Sequence, residues 1–117
     1  MLFEVLNDYM NDDPNPIELT IGDTVTVGEE SDPDGPYPNW LFCVSDKTGR
    51  KGWVAKHVLS IKDGLGIALE NYTSKEMAVI AGDKVEAVNE LNGWFWCIRK
   101  ADDETGWVAV DNLKHIV

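Results

Sequence analysis

Residues 94–109 read WFWCIRKADDETGWVA, and residues 40–55 repeat this stretch without a gap as WLFCVSDKTGRKGWVA. In both copies, aromatic and β-branched residues flank a polar turn that is rich in Lys and Asp. This pattern predicts two antiparallel strands joined by a turn. Because an isolated hairpin is only marginally stable in water, each copy must pack against further strands.

The segments around each hairpin also repeat, and they are short. Alternating apolar residues precede a Gly-Asp pair in both halves of the 117-residue chain, at Gly22-Asp23 and at Gly82-Asp83. No stretch favours a long helix, so we predict an all-β protein of two small barrels in tandem. The predicted division is a first barrel at 1–61, a short linker at 62–66 and a second barrel at 67–117.

The order of these motifs resembles the Src homology 3 (SH3) family, which reads Ala-Leu-Tyr-Asp-Tyr, Gly-Asp or Gly-Glu, Trp-Trp, and then Gly-Tyr-Ile-Pro-Ser-Asn-Tyr-Val. The resemblance covers nearly the whole chain, twice, and it implies two five-stranded SH3-like barrels. The matching segments of the first copy are 5–9 (VLNDY), 22–23 (GD), 40–41 (WL) and 52–54 (GWV), and those of the second are 68–72 (ALENY), 82–83 (GD), 94–95 (WF) and 106–108 (GWV).

The resemblance also implies a peptide-binding groove, but several of its aromatic residues are replaced. The family groove is a row of aromatics that binds polyproline II ligands. One of its two proline pockets therefore lacks aromatic walls in each copy, and a Pro-x-x-Pro ligand is not expected. The groove positions are Asn7, Tyr9, Trp40, Ala55 and Val58 in the first copy, with Asp12 and Asp13 beside them, and Glu70, Tyr72, Trp94, Ala109 and Asn112 in the second, with Glu76 beside them.

The charge of the chain indicates the class of partner. The net charge is −11, with 21 acidic and 10 basic side chains. Such a surface repels phosphate backbones, so nucleic acid is not an expected partner. We therefore predict a non-catalytic interaction module that binds a basic peptide or protein. The alternative is a structural role in which the groove surfaces are buried between barrels or subunits and bind no peptide. A third hypothesis, an aromatic cage for a methylated cation, would need Tyr37 as an additional aromatic.

Neither an enzyme nor a cofactor is predicted. His57 and His115 are the two histidines, and neither belongs to a nucleophile-plus-base pattern. Residues 32–35 (DPDG) weakly suggest a calcium loop, but the distal Glu of that motif is missing. We expect no metal and no cofactor.

The cysteines and the N-terminus indicate the compartment. Cys43 and Cys97 occupy the same position in the two hairpins, and we expect both to be buried, unlinked thiols in separate cores. No segment reaches the roughly twenty apolar residues of a membrane-spanning helix. No signal-peptide pattern follows Met1, so the expected location is cytoplasmic and no membrane partner is expected. Phe42 and Trp96, third in each hairpin strand, either lie over their own sheet or form an interface.

Overall fold

The computed structural model describes residues 1–11 and 13–116, and these form short strands. The helical segments within these ranges are two single 3-10 turns, Lys56–Val58 and Val110–Asn112, so the all-β prediction is confirmed. In the same ranges, no helix has the length and apolarity needed to cross a membrane. The strands are β1 Leu2–Val5, β2 Glu18–Leu19, β3 Thr24–Glu30, β4 Trp40–Ser45, β5 Lys51–Ala55, β6 Leu59–Lys62, β7 Leu65–Ala68, β8 Tyr72–Thr73, β9 Lys84–Leu91, β10 Trp94–Arg99, β11 Thr105–Ala109 and β12 Leu113–His115.

The chain divides into two compact units, and these do not coincide with the two copies of the repeat. One unit comprises Met1–Asp13 and Lys75–Val117, and we call it the terminal barrel. The other comprises Pro14–Ser74, and we call it the central barrel. The predicted division at 1–61, 62–66 and 67–117 therefore differs from the observed one. The central barrel is a continuous segment inserted into a unit that is built from both ends of the chain.

Each barrel has a five-stranded antiparallel sheet that takes one strand from the other copy of the repeat. In the terminal barrel the order is β11-β10-β9-β1-β12, and β1 pairs with both β9 and β12. In the central barrel the order is β5-β4-β3-β7-β6, and β7 pairs with both β3 and β6. The first strands of the two copies have thus been exchanged. Strand β1, from the first copy, completes the sheet of the second hairpin, and β7, from the second copy, completes the sheet of the first hairpin. The sheets are those of SH3-like barrels.

One cause of the exchange is the turn between β6 and β7. Lys62 pairs with Leu65 across a two-residue turn, and Asp63 and Gly64 have φ values of 52° and 78°. Positive φ at both central residues is the requirement of a type I′ hairpin turn, for which Asp-Gly is a preferred sequence. The segment predicted as a linker is therefore a hairpin turn and the beginning of β7. Because the turn is so short, β7 must lie beside β6.

A second cause is the size of the exchanged side chains. Gly66 of β7 corresponds to Phe3 of β1, and a Cβ atom added to Gly66 would lie 2.9 Å from Val25 Cγ2. A phenylalanine does not fit at this position of the central barrel. In the terminal barrel, Phe3 packs against Phe95 with the ring centroids 5.1 Å apart. Each of the two strands therefore fits the sheet in which it is found.

The two cysteines lie in the interiors of the barrels, and the hairpin aromatics lie on the sheets. Cys43 and Cys97 are free and buried, as predicted. Phe42 contacts Trp53 edge-to-face at 5.3 Å across its own hairpin. The rings of Trp96 and Trp107 make the same contact at 5.3 Å. Phe42 and Trp96 therefore lie over their own sheets, which is the first of the two alternatives given for them above. The terminal core consists of Phe3, Val5, Met77, Val79, Val85, Cys97 and Val108.

Candidate functional site

The groove positions of the terminal barrel lie at or near the surface, and several of them contact one another in pairs. Trp94 begins β10 and pairs with Ala109 of β11, and the 3-10 turn that follows Ala109 ends at Asn112. The backbone N–H of Asn7 donates to Asn112 Oδ1 at 3.0 Å, and Asn112 Nδ2 donates to the Asn7 carbonyl at 3.0 Å. The two residues that replace family aromatics thus form a reciprocal amide pair. Trp94, Ala109 and Asn112 are half-buried, and Asn7 is exposed.

Tyr9 and Glu76 form the acidic part of this surface. The Tyr9 hydroxyl donates to Glu76 Oε2 at 2.6 Å, a short distance that is typical of a hydroxyl bound to a carboxylate. The backbone of Tyr9 is fixed by mutual N–H···O bonds with Val79 at 2.8 and 2.9 Å. Asn11 Nδ2 donates to the Glu76 carbonyl at 2.7 Å. Tyr9 remains 39% exposed.

The composition of this surface corrects the sequence-based assignment. Tyr9 and Asp13 were grouped with Trp40, but the exchange places them in the terminal barrel with Glu76 and Trp94. Asp13 is exposed there, whereas Asp12 lies outside the described residues. The grouping was wrong because it assumed that each barrel keeps the first strand of its own copy. The Asp63-Gly64 turn was the signal that could have shown the true partners.

The aromatic and apolar groove positions of the central barrel are buried. Tyr72 is 9% exposed and Trp40 is 7% exposed. The Tyr72 hydroxyl donates to the Trp53 carbonyl at 2.7 Å. Ala55 and Val58 are fully buried, whereas Glu70, which corresponds to Asn7 in the other copy, is exposed. The sequence predicted a Tyr/Trp surface in each copy, with the better groove at Trp40 of the first copy, but in the structure Trp40 is buried and the exposed tyrosine, Tyr9, is in the terminal barrel.

The terminal barrel also carries most of the negative charge. Its sequence contains twelve acidic and five basic side chains, a net charge of −7, whereas the central barrel has nine and five, a net charge of −4. The ammonium of Lys84, 3.0 Å from Glu4, lowers the pKa of that carboxyl group. Lys75 likewise lowers the pKa of Glu104, which lies 2.8 Å away. Arg99 lies 3.0 Å from Asp102 and lowers the pKa of that carboxyl group too, so three of the five basic side chains are paired with carboxylates that stay ionised at neutral pH.

No group of three or more His, Cys, Asp or Glu side chains within residues 1–11 and 13–116 is arranged to hold a metal ion. The surface presents an aromatic side chain, an amide pair and a carboxylate.

A comparison with protein families supports this view of the fold. A family model described as a variant SH3 domain matches residues 2–61, about half of the chain. The match follows chain order, so it does not distinguish which strand completes which sheet. No solved structure matches the chain significantly.

Proposed function

Because the chain belongs to the variant SH3 domain family, whose members are generally non-catalytic protein-interaction modules, we propose that it recruits a protein partner through the terminal barrel. In this proposal both barrels are SH3-like, and they have different roles. Two buried free thiols suit a reducing compartment, and we place the protein in the cytoplasm on that ground.

The observation that carries the proposal is the accessibility of Tyr9 beside Glu76, in the barrel that also contains Trp94. A binding surface must present its aromatic faces to solvent before the partner arrives. Tyr9 is 39% exposed, and its hydroxyl is held by Glu76 at 2.6 Å. This bond fixes the orientation of the ring and places a carboxylate at its edge. The surface is therefore preorganised for a ligand with an apolar portion and a cationic group.

The preferred partner segment is basic and does not depend on a Pro-x-x-Pro core. Asn7 and Asn112 replace two aromatic walls and are bonded to each other. The loss of two stacking contacts, each worth roughly 1 kcal/mol, lowers the affinity for a proline ligand by about one to two powers of ten. Glu76 and the net charge of −7 of the terminal barrel attract Lys and Arg.

The central barrel favours the second function, a structural role. Its Tyr72 and Trp40 are buried, and Trp40 Nε1 is buried without a hydrogen-bond acceptor among the described residues. Little of either side chain is accessible to a ligand in this conformation. We therefore propose that the groove positions of the central barrel stabilise the fold and bind no peptide.

Titration followed by nuclear magnetic resonance tests the proposal. A Lys/Arg-rich peptide is expected to shift the amide signals of Asn7, Tyr9 and Asn112, whereas a Pro-x-x-Pro peptide without basic residues should produce little change. Trp94→Ala should abolish binding of the basic peptide, and Glu76→Gln should weaken it while keeping an acceptor for the Tyr9 hydroxyl. Trp53→Ala, which removes the exposed indole of the central barrel, is the matched control.

Two results would contradict the proposal. One is tighter binding of the proline peptide than of the basic peptide. The other is binding of the basic peptide that survives Trp94→Ala but is lost with Trp53→Ala, because this would place the site on the central barrel. Absence of binding by both peptides would favour a structural role for both barrels.

A further inference from the structure

The central barrel has an open cavity beside the paired strands β2 and β8. Its volume is about 610 Å³, and it extends to the turn that joins β4 and β5. Glu18 and Asp23 supply carboxylates to one part of its lining, and Lys47 and Arg50 of the turn supply cations. Thr48 lies among them. This volume is within the range of small-ligand sites.

The equivalent place in the terminal barrel is filled by Arg99. Its Nη1 donates to the Ala78 carbonyl at 2.9 Å and lies 3.5 Å from Asp83 Oδ2. Its Nε and Nη2 each donate to one oxygen of Asp102 at 3.0 Å. The side chain is only 20% exposed. The guanidinium is thus enclosed by a carbonyl and two carboxylates, an arrangement that its planar fork of donors fits.

The repeat shows that the cavity is the counterpart of this arginine site. The two hairpins align without a gap, which places Ser45 at the position of Arg99 and Thr48 at that of Asp102. The Gly-Asp pairs place Asp23 at the position of Asp83. The local geometry agrees, because Asp23 Oδ2 accepts the Thr20 N–H at 2.9 Å, and Asp83 Oδ2 accepts the corresponding Ile80 N–H at 3.1 Å.

The central barrel therefore has carboxylates near this place but no arginine at the position of Arg99. Ser45 is buried, and its hydroxyl oxygen accepts the Thr48 N–H at 3.3 Å, so its side chain stays within the hairpin. Thr48, at the position of Asp102, has no carboxylate, but Glu18, at the position of Ala78, supplies one. Two carboxylates are thus kept in both sites. In the part of the chain that the structure describes, neither Glu18 nor Asp23 forms an ion pair.

We propose that this cavity binds an arginine side chain of a partner protein, with the guanidinium in the place that Arg99 occupies in the terminal barrel. Lys47 and Arg50 would repel an isolated cation, but they attract an anionic group next to it. A chain that ends in arginine has both groups, since its terminal carboxylate lies a few bonds from the guanidinium. The site is on the central barrel and does not depend on the Tyr9–Trp94 surface.

Three small probes test the chemistry of the site on the full chain: N-acetylarginine, N-acetylargininamide and N-acetylcitrulline. N-acetylarginine should shift the amide signals of Thr20, Asp23 and Thr48. Citrulline has the shape of arginine but no charge, so it should bind at least about tenfold more weakly. The amide, which lacks the carboxylate, should bind with intermediate strength. Equal binding of arginine and citrulline, or shifts confined to other residues, would overturn the proposal.

Variants then locate the site. Asp23→Asn keeps an acceptor for the Thr20 N–H but removes the charge, and it should weaken N-acetylarginine binding about fivefold or more. Glu29→Gln, an exposed residue outside the cavity lining, is the charge-matched control and should leave binding unchanged. Trp94→Ala should also leave it unchanged, which separates this site from the proposed peptide surface.

A third variant fills the cavity from within. Ser45→Arg should place a guanidinium as Arg99 does, raise the melting temperature and prevent binding of N-acetylarginine. Ser45 is buried, so this variant is used only if its spectrum shows a folded chain; Asp23→Asn decides the question otherwise. Undiminished binding to Asp23→Asn would overturn the proposal.

Discussion

The exchange of strands predicts which part of the chain folds alone. Residues 1–61 and residues 14–74 are two segments of equal length. The first corresponds to the predicted first barrel and contains the family match, whereas the second is the central barrel of the structure. We expect the 14–74 segment to fold cooperatively and the 1–61 segment to remain largely unfolded.

The magnitude follows from what the 1–61 segment lacks. Without β7 and β8 it loses the buried side chains of Ala68 and Tyr72, which together contribute about 3 kcal/mol. It also loses the ladders of β7 with β3 and β6. A unit of this size has a total stability of only about 3–9 kcal/mol. Strand β1 cannot replace β7, because Phe3 would occupy the position of Gly66, where even a Cβ would lie 2.9 Å from Val25 Cγ2.

Thermal unfolding followed by circular dichroism, together with amide dispersion in nuclear magnetic resonance spectra, measures this difference. A matched variant of the 1–61 segment replaces LFEV at Leu2–Val5 by LGIA, the sequence of Leu65–Ala68. This change removes the bulk of Phe3, and it should restore a cooperative transition. A cooperative transition in the unmodified 1–61 segment, with none in 14–74, would refute the exchanged topology.

Two further predictions concern the interiors of the barrels. In Gly106→Ala the new Cβ would meet the Met77 backbone nitrogen at 2.7 Å, whereas in Gly52→Ala it would meet side-chain atoms. Chemical denaturation should show that the free energy of unfolding falls by more than about 3 kcal/mol in Gly106→Ala and by about 1–3 kcal/mol in Gly52→Ala. Equal losses in the two variants would contradict this. Burial raises the pKa of Cys43 and Cys97 to about 11, so labelling of the native protein by a thiol reagent at pH 8 should be slow, and rapid labelling would show the placement to be wrong. Because the folded pKa exceeds the unfolded one, the stability from the neutral thiols is present below about pH 9 and is lost as the pH rises toward 11.

Much of the local structure could be predicted from the sequence because it depends on short-range patterns. The alternation of residues 40–55 and 94–109 specified both hairpins, and the shared positions of Cys43 and Cys97 specified buried thiols. These predictions do not depend on which strand completes which sheet.

The pairing of strands could not be read from the repeat itself. Two copies of one fold offer each first strand two equivalent partners, so periodicity does not distinguish them. The information lay in two local details, the Asp63-Gly64 turn and the contrast between Gly66 and Phe3. Since Tyr9 follows β1 in the chain, the wrong pairing also assigned Tyr9 to Trp40 in place of Glu76 and Trp94. The error in the site was therefore a direct consequence of the error in topology.

The two barrels differ in which of two surface regions is accessible, the groove or the region that corresponds to the Arg99 site. In the terminal barrel the groove position Tyr9 is exposed, while the arginine site is filled by Arg99. In the central barrel Tyr72 is buried, while the corresponding arginine site is open. A simple duplication would leave both barrels with the same site. The two proposed interactions are therefore different in kind, one with a basic peptide and one with an arginine side chain. Trp94→Ala should remove peptide binding and Asp23→Asn should weaken N-acetylarginine binding. A chain with both substitutions should show both losses, each of the same size as in the single variant, since the substitutions lie in separate barrels.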